Sequence, residues 1–210
     1  MLKIAVQDGE RFNTFSHLAA ALGAACGVCL LMFSAVAKHD MSRVITCSIY
    51  SISTVGIYIL SVLYHASHGP SKRFFQRLDY IGIYLKIAGN YTPYMILAIQ
   101  GFRGWSVLST VWTLAAIGIF VELFFKPESR LVPNLIYLTM SSTVIPVLHI
   151  LFASVPPFGF GLIMVGFLSY VVGFYFFLND EKIPHAHGIW HMFVIGGSLC
   201  QYLCLLMYVV

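Results

Sequence analysis

Charge is what this chain of 210 residues has least of. Asp, Glu, Lys and Arg make up only 10% of it, against 59% hydrophobic residues, and the mean hydropathy is +0.85. Soluble domains are about a quarter charged, so a soluble fold is excluded and an integral membrane protein is implied. The net charge is +4, yet the basic residues stand singly or in short groups between apolar runs. No basic stretch is long enough to grip a polyanion, and no nucleic-acid partner is expected. Cysteine is scarce too, at five residues. Cys26 and Cys29 form a C-x-x-C, but inside an apolar run without polar neighbours, so they read as small membrane residues and not as a redox or metal pair. Cys47, Cys200 and Cys204 also lie in or beside apolar runs, and no disulfide framework is expected. Repeats, low-complexity segments and any room for a separate soluble domain are missing as well. Residues 1–210 therefore read as a single transmembrane domain with a short cytoplasmic N-terminal segment over 1–15.

What the chain does have is long apolar runs. A helix needs about 20 residues to cross the hydrocarbon layer. Runs of that length fall at about 16–37, 43–66, 79–100, 104–125, 131–152, 158–178 and 187–209. The expected fold is thus all-α, a polytopic bundle of seven transmembrane helices with short, antiparallel connections. Aromatics, at 15%, suit lipid-facing and interfacial positions. Ser34-Ala35-Val36-Ala37 resembles a signal cleavage site. The run before it is as long as a span, however, and follows the polar Glu10, Arg11 and Asn13, so it reads as a retained first helix.

Orientation follows from the loops. With the N-terminus cytoplasmic, Lys3, Arg11, Lys72, Arg73, Arg77, Lys126, Arg130 and Lys182 lie inside, and only Lys38, Arg43 and Arg103 lie outside. That asymmetry favours N-terminus in and, with an odd number of spans, C-terminus out, the reverse of G-protein-coupled receptors.

With this orientation several polar residues arrive at one membrane level. His187 and His191 open the last run four residues apart, on one helix face. Ser61 and His65 share the same spacing at the end of the second run, and Asp79 opens the third. Ionisable groups at membrane depth are costly and usually face the bundle interior, where they serve function. Three imidazoles and a water would make a four-coordinate zinc site with an open position, the catalytic pattern. Asp79 could position the water, and Ser61 could do the same or donate to a developing oxyanion. Each residue also has a plainer reading. The histidines can be interfacial, Asp79 can sit at a helix start favoured by the helix dipole, and Ser61 can bond its own backbone.

Ser61-x-x-x-His65, Leu78-Asp79-Tyr80-Ile81-Gly82-Ile83-Tyr84 followed by Ala88-Gly89-Asn90-Tyr91-Thr92-Pro93, His187-x-x-x-His191 and the opening Glu10-x-x-Asn13-x-x-x-His17 together resemble the hemolysin III branch of the progestin and adipoQ receptor family, over essentially the whole chain. The resemblance implies seven helices, a cytoplasmic N-terminus and zinc held by His65, His187 and His191. It further implies Asp79 at the water on zinc, and Ser61 in the same pocket. The wider superfamily includes alkaline ceramidases, which hydrolyse a lipid amide. Glu10 and His17, from the first motif, are expected to brace the cytoplasmic mouth. Lys86 departs from the pattern, standing where an apolar residue is expected. It lies seven residues after Asp79, about 10 Å deeper, where it could pair with Glu122, contact a lipid headgroup or snorkel, and a structural pair is expected over a catalytic role. His68 and His185 are expected to be solvated, and His149 lies at the opposite end.

The resulting expectation is a zinc-dependent hydrolase of a lipid amide or ester in a bacterial inner (plasma) membrane. Its partners would be membrane lipids, with a sphingolipid or acyl amide as substrate. A non-enzymatic sensor or signalling scaffold with structural zinc is the alternative. A pore ranks last, since a channel wants polar groups through the whole bilayer and here they collect at one level.

Overall fold

The computed structural model describes residues 6, 8–127 and 129–210. Lys3, counted above among the inner basic residues, lies outside them. The described residues form helices and no strand: α1 (Arg11–Ala37), α2 (Met41–Ala66), α3 (Gly69–Pro93), α4 (Gly101–Phe120), α5 (Leu131–Ser142), α6 (Leu148–Ser154), α7 (Pro157–Leu178) and α8 (Ala186–Cys204). Tyr94–Ile99, Val121–Phe125 and Leu205–Val209 extend α3, α4 and α8 as π-helix, and Ile145–Val147 joins α5 to α6 as a 3₁₀ turn. The result is seven rods in a polytopic membrane bundle.

Six rods are long and apolar enough to cross a membrane, and α3 stands outside that set. Its residues include Lys72, Arg73, Arg77, Asp79 and Lys86. α2, α4 and α5 all pack against it and bury Asp79 and Lys86. The bundle is inverted in polarity. Phe33, Ile52 and Phe102 face outward, whereas Ser61, His65, Asp79, Lys86, Glu122, His191 and Gln201 are buried, as expected when the solvent is hydrocarbon.

Small residues set the close contacts. A Cβ on Gly89 would lie 2.1 Å from Ser53 Oγ, and one on Gly82 would lie 2.5 Å from Ile57 Cδ1, so α3 seats directly on α2. The buried residues of α7 are Gly159, Gly166 and Gly173. A Cβ on Gly166 would stand 3.0 Å from the Gly197 carbonyl of α8. Backbones approach this closely in membranes because packing, not hydrophobic exclusion, holds the helices together.

Three expectations need correction. Hydropathy starts the third run at residue 79, but α3 starts ten residues earlier, after His68 and with Pro70 in its first turn. Hydropathy cannot tell a charged helical extension from a loop. Asp79 therefore lies inside the helix, which removes the helix-dipole reading. The fifth run is broken into α5 and α6, because Pro146 lacks the N–H that would continue the ladder. Finally, Lys86 does not pair with Glu122. Glu122 Oε1 accepts from Arg130 Nη1 at 2.8 Å, and the Arg130 guanidinium lies 3.7 Å over the Tyr80 ring. Lys86 Nζ instead donates to Thr54 Oγ1 at 2.9 Å and sits 4.7 Å over the Tyr50 ring. Lys86 faces α2, whereas Glu122 is held at the far end of α4.

Candidate metal centre

Two helix ends supply the imidazoles. α2 is capped at its start by Asp40, whose side chain accepts from the Ser42 N–H at 2.8 Å, and it runs without a proline to His65 in its last turn. α8 begins after His185, whose positive φ of 60° turns the chain into the helix. His187 and His191 then fall on one face, a turn apart. Between them lies Gly188, where a Cβ would meet Phe12 Cδ1 at 2.2 Å. The missing side chain lets the start of α8 close onto the start of α1.

His65, His187 and His191 meet as the helix geometry requires. One ligand atom from each lies within 4.8 Å of the others, close enough to hold a metal ion. Their ring centroids are 5.1 Å apart for His65–His187, 5.0 Å for His65–His191 and 4.8 Å for His187–His191. His65 and His191 are buried and His187 is half-buried.

The outer nitrogens share a pattern. His65 Nδ1 is 2.7 Å from Glu10 Oε2, His187 Nδ1 is 3.4 Å from Asp180 Oδ2, and His191 Nδ1 is 3.5 Å from Ser16 Oγ. With each Nδ1 beside an oxygen, the Nε2 atoms remain to face a shared ion. His65 Nε2 is buried without a hydrogen-bond partner, a costly state for a polar atom that a cation would relieve. Carboxylate–imidazole pairs of this kind fix the ring and its tautomer at metal sites. The residues present therefore fit a divalent metal.

Glu10 does more than the sequence revealed. It stands at the N-cap of α1 yet makes no side-chain cap. Its carboxylate instead accepts from His65, Lys72 and Asn13. The His65 bond, joined by those of Lys72 and Asn13, holds the Glu10 carboxyl well below the usual carboxylate range. α1, α2 and α3 are thereby tied together at the site. His17 stacks flat on His191 at 3.6 Å, edge-on to Tyr58, with both ring nitrogens buried and unpartnered. Only the motif spacing at the N-terminus pointed toward these two residues. No helical periodicity links Glu10 to an imidazole 55 residues away.

Ser61 and Asp79 are both buried, on the facing helices α2 and α3. The Ser61 hydroxyl is buried and makes no hydrogen bond among the described residues. Asp79 is not part of the 4.8 Å group. His185 and His149 are exposed, but His68 is half-buried with an unpartnered Nδ1, not solvated as expected. All five cysteines are free.

Comparison with known proteins places the chain among relatives. A model of the family described as “Haemolysin-III related” matches residues 7–202. The chain is 35% identical over 201 residues to Hemolysin-3 of Bacillus cereus, covering 95% of this chain and 91% of that protein. It is 33% identical over 202 residues to a Hemolysin-3 homolog of Bacillus subtilis (strain 168), covering 96% and 94%. Likeness extends to the human Monocyte to macrophage differentiation factor, at 29% over 171 residues, 79% of this chain and 71% of that one.

Proposed function

Because the chain belongs to the haemolysin-III related family of multi-pass membrane proteins, we propose that it is a zinc-dependent hydrolase of a lipid amide or ester, set in a bacterial plasma membrane with its N-terminus cytoplasmic. The observation that carries this reading is the three-imidazole group whose outer nitrogens already have oxygen partners. His65, His187 and His191 would hold the zinc, which at such a site acts as a Lewis acid and lowers the pKa of water.

The chain's own residues have distinct tasks. Glu10 fixes His65 through Nδ1, and Lys72 holds Glu10 in turn. Asp79 takes a proton from the attacking water while the water oxygen bonds to the substrate carbonyl carbon. Ser61, its hydroxyl unpartnered among the described residues, donates to the developing oxyanion. When the carbon–nitrogen or carbon–oxygen bond breaks, Asp79 returns the proton to the leaving group. Membrane lipids, a ceramide or another acyl amide, supply the substrate.

The test is turnover. Zinc-loaded protein should cleave at least one member of a panel of ceramides and acyl amides, and Asp79→Asn should abolish cleavage with zinc content unchanged. An intact panel, or full activity in Asp79→Asn, would reject the hydrolase. A second reading has its own support. The same contacts tie α1, α2, α3 and α8 together at one level, as a structural metal in a non-enzymatic sensor would require. Under that reading metal removal collapses the fold and no substrate is turned over. The name Hemolysin-3 belongs to the Bacillus cereus relative, and the clustering of buried ionisable groups favours a site over a pore lining.

A further inference from the structure

Lys86 stands apart from the metal centre. It is 7% exposed, and its one hydrogen bond goes to Thr54 Oγ1 at 2.9 Å, with the Tyr50 ring 4.7 Å away. An ammonium has three protons to donate. None of the ion pairs among the described residues includes Lys86, and Glu122, the partner expected from the sequence, is taken by Arg130. A buried cation without a counter-ion is costly anywhere, and most of all in a membrane.

Thr54 and Tyr50 are also two of the polar residues lining a cavity of about 430 Å³ between α1, α2 and α8. Ligand pockets fall in this size range and are mostly apolar, with a few polar groups fixing orientation. Ser16, the neighbour of His191, lines one end, and Gly27 and Val28 lie farther along α1. From Ser16 to Val28 the helical rise gives about 18 Å, room for a long alkyl chain. At the far end the Tyr50 hydroxyl is buried and unpartnered. Thr54 accepts from Lys86 and keeps its own O–H to donate. Thr54 precedes His65 by eleven residues on α2, about 16 Å along the axis, so this polar wall is separate from the metal centre.

We propose that the cavity binds a long-chain carboxylic acid with its carboxylate seated on the Tyr50 and Thr54 hydroxyls, where it supplies the missing counter-ion for Lys86. Hydrocarbon fills the apolar length of the cavity toward Ser16. Pairing the two charges leaves no net charge in the apolar layer. The chemistry that recognises the ligand is thus an acid group at the end distant from the imidazoles. The proposal needs neither zinc nor hydrolysis.

The experiment compares binding of palmitate and methyl palmitate to the full-length protein in detergent, with and without EDTA. Wild-type protein should prefer the acid by at least tenfold, and EDTA should not change that preference. Lys86→Met should remove the preference by weakening the acid and not the ester. Should Lys86→Met fail to fold, Gly23→Leu provides the second variant. Gly23 lines the cavity with open space at its Cβ, and the leucine should weaken both ligands while Lys86 remains. Equal binding of acid and ester by the wild type would overturn the proposal. So would an acid preference that survives Lys86→Met or disappears with EDTA, because the carboxylate would then sit at the metal. Undiminished binding in Gly23→Leu would place the ligand outside the cavity and overturn it too.

Discussion

At the scale of single residues the sequence was most readable where chemistry repeats with the helix. His187 and His191 one turn apart, and Ser61 and His65 likewise, had to share a face, and depth brought both pairs to one level. The partners of those imidazoles were not readable. Glu10, Ser16 and Asp180 reach their histidines across loops or between helices, and no spacing rule spans such gaps. The same limit explains Lys86. A buried charge suggested an acidic partner, but a side chain on α3 can turn toward α2 or α4, and only packing decides. Removing the charge of Glu10 while keeping its shape tests its assigned role. Glu10→Gln should lower zinc affinity by about 10- to 100-fold, read by competition with a chelator, and the protein should stay folded. Unchanged affinity would mean that the His65 ring is held by other contacts.

At the scale of elements the apolar runs located the rods but not their ends. The start of α3 carries Lys72, Arg73 and Arg77 and looks like loop in the sequence, because a charged helical turn outside the hydrocarbon has no hydropathy signature. The break between α5 and α6 could have been inferred from Pro146, although a proline inside a membrane helix often only kinks it. Glycine contacts make the element scale testable. Gly89→Val forces two methyls against Ser53 and the Ile49 carbonyl, and overpacking of that kind costs about 1–3 kcal/mol. Thermal unfolding in detergent should show the loss for Gly89→Val and little change for Gly56→Ala, whose Cβ meets nothing. Equal effects would contradict the close α2–α3 seating.

At the scale of the whole molecule, the scarcity of charge was enough to identify a membrane bundle, and hydropathy gave the number of rods. Why α3 is tolerated needed the structure: Asp79 and Lys86 are buried among other helices, and exposed Arg73 belongs to the charged start of the helix. Which end faces the cytoplasm rests on the loop charges. Labelling can test it: Cys26 and Cys29 are exposed and would be replaced by serine. A cysteine at exposed Lys182 should then react with a membrane-impermeant maleimide only in inverted vesicles, and one at exposed Lys38 only in intact cells. The opposite pattern would reverse the orientation and put the imidazoles at the outer face.

A metal site built from distant stretches of the chain has to show in the metal the protein carries. Its most direct measurement is the metal content of the purified protein beside four alanine variants. About one zinc per chain is expected in the wild type and in His185→Ala, whose side chain is exposed, and almost none in His65→Ala, His187→Ala or His191→Ala. Stoichiometric zinc retained by any of those three, or a zinc-free wild type that stays folded and cannot be loaded, would contradict it.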